Sequence, residues 1–439
     1  DADRRLPSLP FPAVPASPPR FRGAARKSDK HVTHRSGPSG PVLLQEMAGT
    51  STVAMLRAGP EAGCRGQPSP VRAHLHEATM TSPVAPPRAP RYMPPLDAWN
   101  AAASLPPAAA DDATFLGALV TYAILAPSSH NTQPWRFVLE GAVLSLYADR
   151  SRALPVADPR QRELVISCGA ALGTLRVAAR GAGRHVHVHR LPDPTDRDLL
   201  ARIVLERAPK APAEPSARER ALAEAIPHRH TSRARYVRTP VPPLVVHDLV
   251  QVARDEGATL AVLDDAARRE AFATLVAEGD RRQGDDEAFR RELAAWVHPN
   301  RSPHRDGMPG YAFELHGLAS AVAPFVMRVV NWGDAQADRD AAFAMGAPLV
   351  ALLASPGDAP LDWLRTGEAL AHVLLAATAH GLRHAYLNQP MEVADLRPRV
   401  AALLPDGGVP QLGLRFGTGT EVLPTPRRPV GDVLTIVGG

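Results

Sequence analysis

The pattern of apolar and polar positions divides the chain near residue 97. Before that point Pro, Arg, Ser and Gly dominate, and apolar positions follow neither a period of 2 nor one of 3.6. Such a segment buries too little apolar surface to offset the entropy lost on ordering. We therefore predict that residues 1–97 are disordered and that translation begins later, with Met80 or Met93 as candidate starts. A regulatory tail is the alternative.

From residue 98 onward the apolar positions recur with the periods of helices and strands. Residues 98–226 form a first unit in which Pro127 ends the first helix. The predicted elements are a helix at 112–125, a hairpin at 136–149, a helix of small residues at 162–181, a strand at 185–191, and helices over 195–226 with a break near 208–215.

Residues 227–439 form a second unit that opens with an extended segment at 229–237. We predict helices at 242–255, 266–295 and 363–380, and strands at 258–263, 347–354, 385–387 and 411–416. The stretch 296–317 has no period and is rich in Pro, Gly, His and Arg. It is either a lid over a site, since Trp296 and Met308 could dock on a flat ring, or a disordered surface insertion.

A weak internal repeat relates the two units. Residues 170–185 align without gaps to residues 369–384, and both stretches are small-residue helices that run into a strand. Small residues allow two helices to pack closely, as they do at a two-fold interface. The repeat therefore suggests two related halves.

Charge and cysteine content exclude several classes of protein. The net charge of +5 comes from the first segment, where 13 Lys or Arg precede Asp97 against 6 Asp or Glu. The remainder is close to neutral, so we expect no nucleic-acid binding outside that basic tail.

No apolar run approaches the roughly 20 residues of a membrane span, and no signal peptide is evident. Cys64 and Cys168 are too few for a disulfide framework, which favours a reduced cytoplasmic protein.

Three clusters of polar and charged residues could form a functional site, although each also has an ordinary structural interpretation. Residues 127–135 could be a Ser/Asn turn, residues 229–233 a solvated basic strand edge, and residues 424–430 a charged tail. On an extended segment, however, Arg229, Thr231 and Arg233 point the same way, which suits a phosphate.

Three histidines alternate on one predicted strand and raise the question of a metal site. His185, His187 and His189 would share a face, but no carboxylate or cysteine accompanies them. We interpret them as an exposed edge strand and predict no metal site.

Together the clusters resemble the nitroreductase family of FMN flavoproteins. The sequence Pro-Ser-Ser-His-Asn-Thr-Gln-Pro-Trp at 127–135 is similar to the family's loop along the isoalloxazine ring, and 229–233 to its phosphate-binding segment. Residues 381–389 resemble the strand that leads to backbone contacts with flavin N5. Residues 411–419, followed by Arg427 and Arg428, resemble the closing strand and the last phosphate ligand.

The order of these motifs departs from ordinary members, which carry the arginine segment first and form homodimers. Here the Pro-Ser-Ser loop lies in the first half and the arginine segment opens the second half. This arrangement resembles the tandem, Acg-like subfamily. It implies an α+β nitroreductase fold whose two tandem halves form an intrachain pseudo-dimer, with one FMN site in a monomeric chain.

The resemblance also implies a function. We expect ping-pong hydride transfer from NADH or NADPH through FMN to a small-molecule nitroaromatic or quinone acceptor, with no catalytic side chain because the flavin carries the chemistry. The alternative is a catalytically silent protein that stores FMN under a lid. The implied cofactor-binding residues are Ser128, Ser129, Asn131, Gln133, Arg229, Thr231, Arg233, Asn388, Gln389, Arg427 and Arg428.

Overall fold

The computed structural model describes residues 95–102, 104–206 and 214–438. The predictions about residues 1–94, including Met80, Met93 and Cys64, lie outside the described residues. Asp97, placed in the predicted disordered segment, begins a short helix instead. Its neighbour Trp99 is buried in the core.

The first half follows the predicted pattern up to residue 191. Asp111 caps the first long helix, where its side chain accepts a hydrogen bond from Thr114 N at 3.0 Å. The elements are α1 (Asp97–Ala101), α2 (Asp112–Ala123), β1 (Trp135–Glu140), β2 (Val143–Ala148), α3 (Arg162–Gly181), β3 (Val186–Arg190), β4 (Leu199–Leu205) and α4 (Ala217–Glu224).

Strand β4 corrects the prediction of a helix at the start of residues 195–226. It lies between β2 and β3, and its first three residues are buried. A short apolar run fits a buried helix or a buried strand equally well by periodicity. Here the run pairs with β2 and β3 and is therefore a strand.

The second half contains more elements than predicted. They are α5 (Pro243–Asp255), β5 (Thr259–Val262), α6 (Ala266–Asp285), α7 (Glu287–Ala295), β6 (Val297–His298), β7 (Met308–Pro309), α8 (Gly317–Val329), α9 (Gly333–Gly346), β8 (Leu349–Ser355), α10 (Pro360–Ala379), β9 (Arg383–Tyr386), α11 (Gln389–Glu392), α12 (Arg397–Ala401), β10 (Val409–Gly417), α13 (Val430–Val433) and β11 (Leu434–Val437).

The two halves share one sheet topology. The first sheet has the order β11-β1-β2-β4-β3, and the second has the order β5-β8-β10-β9. Leaving β11 aside, equivalent strands come in the same chain order, and every neighbouring pair is antiparallel. This equivalence confirms the two tandem halves of an α+β fold.

The end of the chain returns to the sheet of the first half. Strand β11 pairs in parallel with β1, so that Phe137 faces Leu434 and Glu140 faces Val437. The segment that leads to β11, residues 418–429, therefore runs from the second sheet to the first. It carries Arg427 and Arg428 past the Pro-Ser-Ser loop.

Helices α3 and α10 pack together at the junction of the halves. A Cβ added to Gly169 would lie 2.1 Å from Leu364 O, and one added to Gly367 would lie 2.0 Å from Ile166 O. Only glycine permits this approach. Helix α3 is long and apolar enough to span a membrane, but 89% of that stretch is buried inside the protein, as for a core helix.

Candidate functional site

The Pro-Ser-Ser loop has a strained backbone. His130, Asn131 and Gln133 have φ of 51°, 56° and 53°, in the left-handed region that residues other than glycine rarely adopt. The Ser128 hydroxyl accepts a hydrogen bond from Gln133 N at 2.9 Å, and the Ser129 hydroxyl donates one to Glu163 at 2.6 Å. Strain of this kind clusters at ligand-binding sites.

The amides of the loop bind other parts of the protein. Asn131 Nδ2 donates to Gly307 O at 2.8 Å and to Pro426 O at 3.1 Å. Gln133 Nε2 donates to Arg305 O at 2.8 Å, and Gln133 Oε1 accepts from Arg428 N at 2.8 Å. These two side chains therefore join the loop to the segment 296–317 and to the C-terminal segment.

The extended segment that opens the second half lies beside β9. Ser232 N donates to His384 O at 2.9 Å, and Thr231 forms a parallel bridge with His384. Arg229 is only 3% exposed and donates to Leu125 O at 2.9 Å. Arg233 is half-buried and contacts Met308 Sδ at 3.4 Å. Arg229, Thr231 and Arg233 all line one cavity, but His230 and Ala234 line it too, so this segment does not alternate strictly as predicted.

Arg427 approaches the same cavity from the C-terminal segment. Its guanidinium is buried, lies over the Trp99 ring at 4.8 Å, and donates to Asn131 Oδ1 at 2.9 Å and to Thr425 Oγ1 at 2.7 Å. Its Nε is buried without a hydrogen-bond partner. A buried donor left in this state is costly unless a ligand occupies it.

The cavity has a volume of about 240 Å³. We call it the arginine cavity. Its walls come from α1, the extended segment, the stretch after β7 and the C-terminal segment. The lining residues are Trp99, Arg229, His230, Thr231, Arg233, Ala234, Tyr311, Ala312, Glu314, His316, Thr420, Glu421, Val422, Leu423, Thr425 and Arg427.

The arginine cavity is lined by three arginines and two carboxylates, Glu314 and Glu421, so its formal charge is positive. Within the described residues, no carboxylate lies within ion-pair distance of Arg229, Arg233 or Arg427. Burial lowers the pKa of all three guanidinium groups. Burial and Arg229 also lower the pKa of His230 to about 3, so this imidazole is neutral. An anion in the cavity would relieve the electrostatic cost.

Seven of the predicted site residues do not line the arginine cavity: Ser128, Ser129, Asn131, Gln133, Asn388, Gln389 and Arg428. The first four form the loop described above. Asn388 Oδ1 accepts from Gly413 N at 3.1 Å, which joins α11 to β10. Arg428 NH1 donates to Gln133 O at 3.2 Å, so Arg428 supports the loop.

Gln389 lies in a buried carboxyl cluster that the sequence did not reveal. Its Nε2 donates to Asp280 at 3.1 Å and to Asp340 at 2.7 Å. Burial and the nearby Asp340 raise the pKa of Asp280 to about 9. Asp280 and Asp340 come from α6 and α9, and α9 was not predicted.

His130, Arg233 and Tyr386 are half-buried, and burial lowers the pKa of His130 to about 4 and raises that of Tyr386 to about 12. The sequence analysis did not predict Trp99 and Tyr311 as site residues, although both line the arginine cavity. Nothing in their local sequence pattern distinguishes them from core or loop residues.

Comparison with known proteins places the chain in a family. No family model matches it. A protein of Mycobacterium tuberculosis named "Putative NAD(P)H nitroreductase Rv3131" is 33% identical over 328 residues, which is 74% of this chain and 92% of the relative. Another, "Putative NAD(P)H nitroreductase acg", is 31% identical over 327 residues, or 72% and 94%. The chain belongs to this Acg-like NAD(P)H nitroreductase family.

Solved structures give more distant matches. The FMN- and NADPH-dependent nitroreductase NfnB from Sphigopyxis sp. strain HMH is 19% identical, with a TM-score of 0.34 over 50% of this chain and 99% of that chain. The FMN-dependent nitroreductase NfnB from Mycobacterium smegmatis, in complex with NADPH, is also 19% identical. Its TM-score is 0.32 over 48% of this chain and 96% of that chain.

Proposed function

We propose that the protein is an FMN-dependent oxidoreductase that takes hydride from NADH or NADPH and passes it to a nitroaromatic or quinone acceptor in two half-reactions. The observation that carries this proposal is the arginine cavity, in which Arg229, Arg233 and Arg427 converge without a carboxylate partner. A phosphate monoester would give these guanidinium groups the ion-pair partner that they lack. Membership of the NAD(P)H nitroreductase family supports FMN as the molecule that carries it.

The residues of the arginine cavity fit a phosphate group. Arg229, Arg233 and Arg427 would hold its oxygens through charge-assisted hydrogen bonds, and the Thr231 hydroxyl would add a neutral donor. The unpartnered Nε of Arg427 and Nδ1 of His230 are buried polar atoms that a ligand would satisfy. Lysine does not occur among the lining residues, so every cation here can bind bidentately.

The Pro-Ser-Ser loop would hold the ring system. Ser128 and Ser129 keep accessible surface and would face the ligand, whereas Asn131 and Gln133 would hold the loop in its strained shape. The backbone near Asn388 and Gln389 would complete this part of the site. Bound FMN supplies the hydride chemistry, so that no side chain has to act as a nucleophile.

A second function is favoured by one specific observation. The segment 296–317 hydrogen-bonds to the loop through Asn131 and Gln133, and Gly307 N donates to Asn131 O at 3.2 Å. A segment held in this way covers part of the loop. If it also excluded the nicotinamide, the protein would store FMN without turnover.

Anaerobic titration with NADPH and then NADH separates these functions. We expect the purified protein to absorb near 450 nm like oxidised flavin, to bleach with one of the nucleotides, and to recover its absorbance when a nitroaromatic or quinone is added. A flavin that bleaches only with dithionite would establish storage instead of turnover. A protein that neither contains nor takes up FMN would refute the site itself.

A further inference from the structure

The segment between α7 and α8 brings two imidazoles and one carboxylate together. We propose that His298, His304 and Asp306 bind one divalent transition-metal ion of the zinc class. Two histidines and one carboxylate are a known protein ligand set for zinc, with water in the fourth position. This site goes beyond the proposed oxidoreductase and does not depend on bound FMN.

The distances fit an ion between the three groups. Asp306 Oδ1 lies 3.7 Å from His298 Nε2 and 3.8 Å from His304 Nδ1. All three ligand atoms lie within 4.8 Å of one another. These separations are too long for hydrogen bonds. Ligands about 2.1 Å from a tetrahedral ion lie roughly 3.4 Å apart, so the exposed His304 ring, which is stacked on His298, would have to move inward and turn to close the site.

The surroundings of the three ligands leave room for an ion and include a nitrogen atom that lacks a hydrogen-bond partner. His298 Nε2 is buried and has no hydrogen-bond partner. A cavity of about 10 Å³ is lined by His298, His304 and Asp306, which is about the space of one water-sized particle. The two imidazole rings are stacked, with centroids 4.3 Å apart.

A further contact orients the carboxylate. Arg152 forms an ion pair with the other oxygen, Asp306 Oδ2, which leaves Oδ1 directed at the histidines. Groups that hold a ligand in this way commonly contribute to metal affinity. Arg152, which lies just after β2 in the first half, therefore supports the metal ligands.

A metal ion here would fix the segment against the Pro-Ser-Ser loop. Arg305 and Gly307, the residues on either side of Asp306, accept the hydrogen bonds from Gln133 and Asn131. An ion that restrains Asp306 and both histidines would stabilise these contacts. Metal binding would thus order the segment 296–317 where it lies against the Pro-Ser-Ser loop.

The chain offers a matched control on β3. His187 and His189 form another histidine pair, with ring centroids 4.5 Å apart, and both are exposed. No described carboxylate or cysteine joins them within ligand distance. A double substitution, His187→Ala with His189→Ala, removes two surface imidazoles, one more than His304→Ala, without touching the proposed site.

The test is calorimetric titration of the full-length, chelator-treated protein with Zn²⁺, and separately with Co²⁺ followed by absorption spectroscopy. We expect His304→Ala to lose one equivalent of Zn²⁺ or to bind it at least about tenfold more weakly, and to lose the visible bands of tetrahedral Co²⁺. The β3 double variant should keep both signals. Equal binding by the wild type and His304→Ala would overturn the proposal, as would loss of the signals in the double variant alone.

Hydrogen exchange gives a second readout that does not depend on stoichiometry. Zn²⁺ should slow amide exchange across residues 298–307 in the wild type but not in His304→Ala or Asp306→Asn. His304 is exposed, and its replacement should leave the fold intact, which circular dichroism would verify. Exchange that Zn²⁺ leaves unchanged in the wild type would overturn the proposal.

Discussion

The side chain of Asn131 accepts a hydrogen bond from Arg427 at 2.9 Å. The two residues lie 296 positions apart, and each belongs to a motif predicted to hold one part of a flavin. Asn131 also donates to Gly307 O and Pro426 O. One buried amide thus fixes an arginine of the arginine cavity, the strained loop and the segment 296–317 relative to one another.

Asn131→Ala should therefore disturb both stability and ligand binding. It removes three buried hydrogen bonds, those with Arg427, Gly307 O and Pro426 O, each worth about 0.5–1.5 kcal/mol. We expect lower stability to urea and a several-fold loss of FMN affinity, measured by unfolding and fluorescence titration. Asn100→Ala, on the exposed face of α1, is the control. If both variants bound FMN like the wild type, Asn131 would not position the site.

Arg233→Ala should weaken FMN binding without unfolding the protein. Removing one charge-assisted phosphate contact costs about 1.5–3 kcal/mol, equivalent to roughly 10- to 150-fold in affinity. The comparison is with Arg365→Ala, an exposed arginine on α10. Riboflavin, which lacks the phosphate, should bind both variants alike. An unchanged FMN affinity in Arg233→Ala would remove this residue from the phosphate site.

Gly367→Ala should destabilise the junction between the halves. The added methyl group would meet Ile166 O at 2.0 Å, so α3 and α10 would have to separate. Overpacking of this kind costs about 1–3 kcal/mol or more, which urea unfolding measures. Gly346→Ala at the end of α9 has open space around its Cβ and should be nearly neutral. Equal stabilities would show that the close approach is not required.

Asp280→Asn should remove a pH dependence of stability. The pKa of Asp280 in the folded protein is raised to about 9 by burial and by Asp340. A raised pKa means that the stability present at acidic pH is lost as pH rises toward 9, with a slope of at most about 1.4 kcal/mol per pH unit. Urea unfolding between pH 5 and 9 should show this decline in the wild type and a flatter profile in Asp280→Asn. In Asp406→Asn, an exposed control, the decline should persist; an identical decline in Asp280→Asn would contradict the assignment.

The pattern of apolar positions correctly predicted those helices and strands that the local sequence determines by itself. Helix α3 has the predicted bounds, because its length and small-residue face leave no alternative. The strand at 199–205 was predicted as a helix, because a short apolar run has no unique period. Strand β11 was not predicted, since its ladder partner β1 lies some 300 residues earlier in the chain.

The candidate site shows the same division between local and long-range information. Arg229, Thr231, Arg233 and Arg427 meet at one cavity, as their motifs indicated. The amides of Asn131 and Gln133 bind Gly307 O and Arg305 O, contacts that their motif does not indicate, and their binding of FMN stays a prediction. These contacts depend on how the segment 296–317 folds back, and its aperiodic sequence does not specify that. A cytoplasmic location stays a prediction.

We propose that one chain, acting alone, builds one FMN site from both of its halves. Native mass spectrometry of the protein after incubation with FMN tests this most directly. We expect one dominant species with the mass of a single chain plus one FMN, and loss of the FMN in Arg427→Ala. A species with two chains that releases its FMN when the chains separate, or a single chain that takes up none, would contradict it.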